Sequence, residues 1–141
     1  MIHVAKASEI DRAAVLQLYG EAGYGATLDH ADTTIVAKLA GAVVGTVRLC
    51  SEHGVIVLRG MQVRAALQRR GTGSQLLAAC AAYLDGSPSY CLPYAHLASF
   101  YAAAKFECIA PHELPEFLQR RLAAYLAGGR DIIAMRRPKA S

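Results

Sequence analysis

The apolar positions of the chain change period several times, and each change predicts an element. Residues 1 to 6 alternate, with Ile2 and Val4 set between polar neighbours, which predicts an edge strand. Ser8, with Asp11 three residues on, opens a helix running to about Tyr19, with Ala14, Val15, Leu18 and Tyr19 as its buried stripe. Gly20, Gly23 and Gly25 end it, and residues 24 to 32 read as an irregular or short helical connector. Three β-rich runs follow, TTIVAKLAG, AVVGTVRLCS and GVIVLRGMQV, punctuated by Gly41 and by Glu52-His53-Gly54. They predict an antiparallel meander, its third strand the most buried.

From Gly71 the period lengthens: Leu76, Leu77, Cys80, Ala81 and Leu84 share one face of a helix that ends near Gly86. A short strand at 89 to 92, a helix at about 96 to 104 and a brief strand from Phe106 to Ile109 come next. Pro115 starts a last amphipathic helix, LPEFLQRRLAAYLAGG, and DIIAMRR makes a final strand. The order predicts an α/β (α+β) chain, a mixed sheet with helices on both faces.

Composition narrows the picture. At 141 residues the expectation is a single domain. Hydrophobic residues make up 54%, yet charged residues, Gly or Pro break every apolar run before the roughly 20 residues of a membrane span. MIHVAKASEIDRA carries no secretory pattern, so a cytoplasmic setting is expected. The cysteines, Cys50, Cys80, Cys91 and Cys108, lie far apart without a C-x-x-C pair, which argues against a zinc site or a disulfide framework. No metal is expected. Lys and Arg outnumber Asp and Glu by 15 to 11, a balance that suits a phosphorylated ligand as well as nucleic acid. No basic face interleaved with aromatic residues appears, so nucleic acid is not expected as a partner.

The chemistry concentrates in ALQRRGTGSQLLAAC, residues 66 to 80. A strand ending at Val63, the loop RAALQ and a helix starting at Gly71 or Thr72 place free backbone N–H groups at a helix N-terminus, where phosphate oxygens bind. Gly71 and Gly73 let a diphosphate approach the main chain, and Arg69 and Arg70 can add charge-assisted hydrogen bonds. A P-loop is disfavoured, because Gly73-Ser74-Gln75 stands where Gly-Lys-Ser/Thr is needed. A dinucleotide fingerprint is disfavoured by Leu76 in the place of its third glycine.

Gln68-Arg69-Arg70-Gly71-Thr72-Gly73 fits the pattern Q/R-x-x-G-x-G/A, with GMQV ahead of it and SQLL behind. LASFYAAAKFE, residues 97 to 107, is similar to a late F-Y-x-x-x-G-F helix, with Lys105 in place of the glycine. Together these motifs resemble the GNAT (GCN5-related) N-acetyltransferase superfamily, and the resemblance covers nearly the whole chain in element order. It implies a GNAT-like, mostly antiparallel sheet whose central strands splay apart, one ending at Met61-Gln62-Val63 and the other near Cys91-Leu92. Acetyl-CoA, as acyl donor, would lie in that gap. The resemblance implies cofactor-binding roles for Met61, Gln62, Val63, Gln68, Arg69, Arg70, Gly71, Thr72, Gly73, Ser74 and Ser99; for Ser99 a helix-cap hydroxyl is the equal alternative.

Tyr101 matches the tyrosine that protonates the departing CoA thiolate in many relatives; the competing reading is a core tyrosine with a locally paired hydroxyl. Many relatives carry a Glu on the strand before the signature, but Val57 and Arg59 stand at those positions. Proton removal would then fall to Glu52, His53, a water chain or His96, with His96 the preferred candidate and a structural histidine its alternative. Arg48 and Arg59 on buried-looking strands invite an acid-bearing substrate, and an internal Asp or Glu would serve them equally well. The resemblance implies transfer of an acetyl group to a primary amine, of a small molecule or amino acid ahead of a protein amine, by direct attack in a ternary complex. A non-catalytic acyl-CoA-binding module is the alternative. No membrane partner is expected, and monomer and homodimer both stay open.

Overall fold

A computed structural model describes residues 1–25, 28, 29 and 31–139. The connector expected over 24 to 32 includes residues 26, 27 and 30, which lie outside the described residues, as do 140 and 141. The chain runs β1 (Ile2–Lys6), α1 (Asp11–Glu21), β2 (Thr33–Leu39), β3 (Ala42–Glu52), β4 (Val55–Val63), α2 (Thr72–Leu84), β5 (Ser89–Cys91), α3 (Ala98–Ala102), β6 (Glu107–Cys108), α4 (Glu116–Ala127) and β7 (Met135–Arg137). The strands form one seven-stranded sheet in the order β1-β2-β3-β4-β5-β7-β6, antiparallel throughout except for β4 beside β5. Among the described residues no helix is long and apolar enough to cross a membrane.

The meander rests on two turns of the same kind. Ala40-Gly41 and His53-Gly54 both take positive φ (51° and 82°, 49° and 81°), the type I′ geometry whose twist matches that of paired strands. Side-chain alternation then sorts the sheet into two faces. On one, Ile35, Val47, Leu49 and Leu58 meet Leu76, Leu77, Cys80 and Leu84 of α2, with Tyr101 and Phe106 alongside. On the other, Val36 and Val43 meet Val15, Leu18 and Tyr19 of α1, while Val57 meets Leu118 and Leu122 of α4. Each such buried aliphatic chain contributes about 1.5–3 kcal/mol relative to exposure. The most buried strand is β3, not β4 as the sequence led us to expect. β3 is flanked by full-length partners, whereas β4 borders a gap.

That gap has two causes. β5 pairs with β4 only at Ile56↔Ser89 and Val57↔Tyr90, then ends at Leu92-Pro93, where the proline has no N–H to continue a ladder. β4 itself is bulged: between Thr46↔Gln62 and Arg48↔Arg59 it sets Gly60 and Met61 against the single residue Val47. Gly60 takes φ +66°, and its carbonyl accepts a 2.8 Å hydrogen bond from the Tyr19 hydroxyl. Any Cβ at Gly60 would come within 2.5 Å of that hydroxyl.

Two late elements are shorter than their periodicity suggested. The helix expected at 96 to 104 is a 3-10 turn over Ala95–Leu97 followed by α3. It stops because Lys105 turns left-handed (φ +74°) and the Phe106 N–H donates back to the Tyr101 carbonyl at 3.3 Å. DIIAMRR forms a strand only over Met135–Arg137, with Ile132 making a lone bridge to Tyr94.

Candidate active site

The loop leaving β4 is tied by its own side chain: Gln68 Nε2 donates to the Val63 carbonyl at 2.9 Å. Arg69 and Gly71 both take left-handed backbone (φ +64° and +83°), which turns the chain into α2, whose first intrahelical bond runs from Gln75 N to Gly71 O at 3.0 Å. No side chain caps this helix and no acid lies in its first turn. The N–H groups of Thr72, Gly73 and Ser74 therefore have no helical acceptor and carry the positive end of the dipole. A Cβ at Gly71 would meet nothing within 4 Å, so space lies open in front of these donors. Gly73 has a different task, since a Cβ there would press on Phe100 of α3 at 3.3 Å. The Thr72 hydroxyl is buried without a hydrogen-bond partner among the described residues. Exposed Arg69 and Arg70 flank this end, whose free N–H groups and positive charge could hold a phosphate group.

Where β4 and β5 part lies a cleft of about 270 Å³. Met61 and Gln62 come from β4, Cys91 and Leu92 from β5 and the residue after it, and Tyr101 from α3. Among the described residues the β4 edge facing this cleft has no strand partner beyond Val57, which leaves main-chain donors and acceptors available to a ligand. Tyr101 is 5% exposed and meets Phe100 and Phe106 edge-on. Burial pushes its phenol well above the ordinary range, so the group keeps its proton at any physiological pH. The Cys91 thiol beside it is raised by the same cause, and that of Cys80 in the same core is pushed up to about 12.

The opposite wall is cationic. Arg59, Arg121 and Arg130 line the cleft, together with Tyr24, Tyr94 and Tyr125. Arg121 holds Glu52 in a two-pronged ion pair, 2.7 and 3.1 Å, and Arg59 stands 3.8 Å from the same carboxylate. The Arg121 hydrogen bond keeps Glu52 ionised below the ordinary carboxylate range. Arg48 lies directly across from Arg59 in the sheet, a like-charge pairing that costs energy unless each cation is compensated. Compensation for Arg48 is internal: Asp32 at 3.7 Å, the Tyr24 hydroxyl at 3.4 Å and the Tyr19 ring at 5.4 Å.

The candidates singled out in the sequence thus fall into separate places. Met61, Gln62, Arg59 and Tyr101 meet at the cleft, and Gln68 to Ser74 form the junction at α2. Val63 closes β4 between the two. His96 is exposed, its ring 5.9 Å from that of Tyr94, and neither it nor Ser99 is among the cleft walls. From the sequence, the segment Pro111 to Gly129 could wall an acceptor pocket with Arg120 and Arg121 facing water; the structure sets Arg121 in the cleft wall, and Arg130 was not singled out. An arginine on an amphipathic helix reads as facing water, and no local signal ties Arg121 to Glu52, 69 positions earlier.

Comparison with known proteins agrees with the fold. No curated protein matches the chain. Among solved structures, ribosomal-protein-S18-alanine N-acetyltransferase from Escherichia coli superposes with a TM-score of 0.74 at 15% identity, over 100% of this chain and 96% of its own. Escherichia coli ElaA gives 0.70 at 22%, over 97% and 99%. N-acetylglutamate synthase from Neisseria gonorrhoeae, complexed with coenzyme A and N-acetyl-glutamate, gives 0.72 at 18%; the match covers 100% of this chain but only 36% of that one. At such identities these structures share the fold. A family model described as Acetyltransferase (GNAT) domain matches residues 30–108, more than half of the 141, from the approach to β2 through β6. The chain belongs to the GNAT acetyltransferase family.

Proposed function

We propose that the protein transfers an acetyl group from acetyl-CoA to the primary amine of a small molecule or amino acid. The observation that carries this is continuity: the phosphate-binding end of α2 and the cleft beside Tyr101 are joined by the free edge of β4. The CoA diphosphate would rest on the N–H groups of Thr72, Gly73 and Ser74 with Arg69 and Arg70. The pantetheine amides would pair along β4 as an added strand, bringing the thioester between Met61 and Tyr101. A β4 main-chain N–H would polarise the acetyl carbonyl.

The amine nitrogen attacks the carbonyl carbon, the C–S bond breaks with its electron pair going to sulfur, the Tyr101 phenol gives that sulfur its proton, and the proton that nitrogen sheds on becoming an amide returns through water to the Tyr101 phenolate. A phenol raised by burial is a weak donor toward a thiolate in water. Exclusion of water by the bound thioester would strengthen the leaving thiolate as a base and narrow that gap. The amine must arrive neutral, and the cleft walls contain neither His96 nor a carboxylate. Three guanidiniums around the cleft favour the neutral amine over the ammonium ion, with its proton leaving to water.

The absence of an acid from the walls also suits the second reading, a GNAT-like module that binds acyl-CoA without turnover. Release of free CoA thiol, followed over a panel of small amines, amino acids and peptide N-termini, separates the two. Acetyl-CoA binding with no release from any member would favour the module.

A further inference from the structure

The cleft wall is more specific than a generic amine site requires. Arg59, Arg121 and Arg130 line it, and among the described residues no Asp or Glu does. One carboxylate, Glu52, stands behind two of the guanidiniums: it is committed to Arg121 at 2.7 and 3.1 Å and reaches Arg59 only at 3.8 Å. Arg130 has no ion-pair partner among the described residues. Three cations against one anion leave an excess of positive charge.

These guanidiniums are held in place. Arg59 shares a sheet face with Val57, which packs on α4, and α4 delivers Arg121 to that side. After Gly128 and Gly129 (φ +83°) the chain folds back so that Arg130 N bonds the Tyr125 carbonyl at 3.1 Å. The Arg130 guanidinium rests over the Tyr125 ring at 5.2 Å. Arg59 and Arg121 are only 32% and 23% exposed, so water does not fully solvate them. Tyr101 approaches from the other face, within the α2 core. A molecule whose amine reaches the Tyr101 side would leave its remaining groups against the arginines.

We infer that the acceptor is an amine that also bears a carboxylate, oriented by Arg130 and Arg59 while Arg121 is kept in place by Glu52. The inference rests on the transferase reading for its reaction, though the anion site itself does not. Guanidinium forks match carboxylates in a planar, two-bond geometry, and a bound anion relieves the uncompensated charge. Polyamines and other polycations would meet like charge.

The test compares amino acids with their amides, L-alanine with L-alaninamide and L-glutamate with its diamide, plus putrescine, using acetyl-CoA and free-thiol release. The amide amine is the weaker base and so the more abundant free nucleophile, which biases the comparison against the inference. Expected is a kcat/KM about tenfold higher for each acid than for its amide, highest for glutamate. Arg130→Gln and Arg59→Gln should each erase most of that ratio while acetyl-CoA affinity stays unchanged. Equal rates for acid and amide, a preference for putrescine, or a ratio indifferent to both substitutions would overturn the inference. If no amine is acetylated, the transferase reading fails by itself. The anion site is then judged by calorimetric titration of L-glutamate against its diamide into CoA-loaded protein: selective binding of the acid retains it, and equal or absent binding removes it.

Discussion

At single residues, small groups decide what happens in the cleft. Tyr101→Phe removes one hydroxyl from a ring that is otherwise packed, so stability and acetyl-CoA affinity should stay near wild type while kcat falls about a hundredfold. An unchanged kcat would end the proton-donor role. Gly71→Glu places a carboxylate in the open space before the first N–H groups of α2, at a φ of +83° that costs a side chain about 1–2 kcal/mol of stability. Repulsion of the CoA diphosphate should then raise the acetyl-CoA Kd at least about tenfold in equilibrium binding, with folding intact by circular dichroism. Lys105 occupies the family's glycine position, and its φ of +74° shows why a glycine belongs there. The left-handed conformation costs a lysine about 1–2 kcal/mol, from which the greater unfolded-state entropy of glycine subtracts about 0.5–1. Lys105→Gly should therefore stabilise the protein by about 0.5–1 kcal/mol in denaturant unfolding.

At the scale of elements, the bulge in β4 is clasped from outside its own sheet. The Tyr19 hydroxyl, on α1, donates to Gly60, and burial pushes that phenol up to about 12, so the clasp does not titrate near neutrality. Tyr19→Phe leaves a carbonyl without its donor and should cost about 1–2 kcal/mol. Gly60→Ala should cost more, because its Cβ would strike a hydroxyl that cannot retreat from the core. The double variant should be less destabilised than the sum, since Tyr19→Phe removes the struck atom; strict additivity in a double-mutant cycle would disprove the clash. Here the meander, both of its turns and the α2 stripe were legible from period and turn chemistry. The bulge was not, because nothing in VIVLRGMQV marks where the pairing shifts, and the reason for the shift, Tyr19, is 41 positions away. Nor was the early end of α3, where the apolar pattern outlasts the backbone geometry.

At the scale of the molecule, two ion pairs link distant parts and set the response to acid. Asp11, bonded to Lys38 at 2.8 Å, ties α1 to β2, and Glu52 ties β3 to α4. Hydrogen bonds from Lys38 and Arg121 lower both carboxyls below their ordinary values. Groups depressed on folding add stability that is present in full above the unfolded pKa values, near 4, and is lost as pH falls through the folded ones. Stability should accordingly be flat from pH 7 to about 5 and decline below that. Glu52→Gln should remove about 1–2 kcal/mol at pH 7 and flatten part of the acid decline in a series of urea melts; an undiminished decline would exclude Glu52 as its source.

The sequence by itself determined whatever depends on neighbours in the chain. Strand alternation, helix stripes, the turns at Gly41 and Gly54, and the run of residues from Gln68 to Ser74 are local properties of backbone and side-chain spacing. Tertiary structure decided which charges meet. Arg48, read as a candidate substrate ligand, sits beside Asp32 and Tyr24, whereas Arg121, on an amphipathic helix whose spacing gives no sign of a site, faces the cleft. No spacing rule could sort them. Arg48 owes its surroundings to α1 and the segment before β2, while those of Arg121 arise where α4, between β6 and β7 in the chain, folds onto the face of β4 through burial of Val57, Leu118 and Leu122 rather than through any pattern around the arginines.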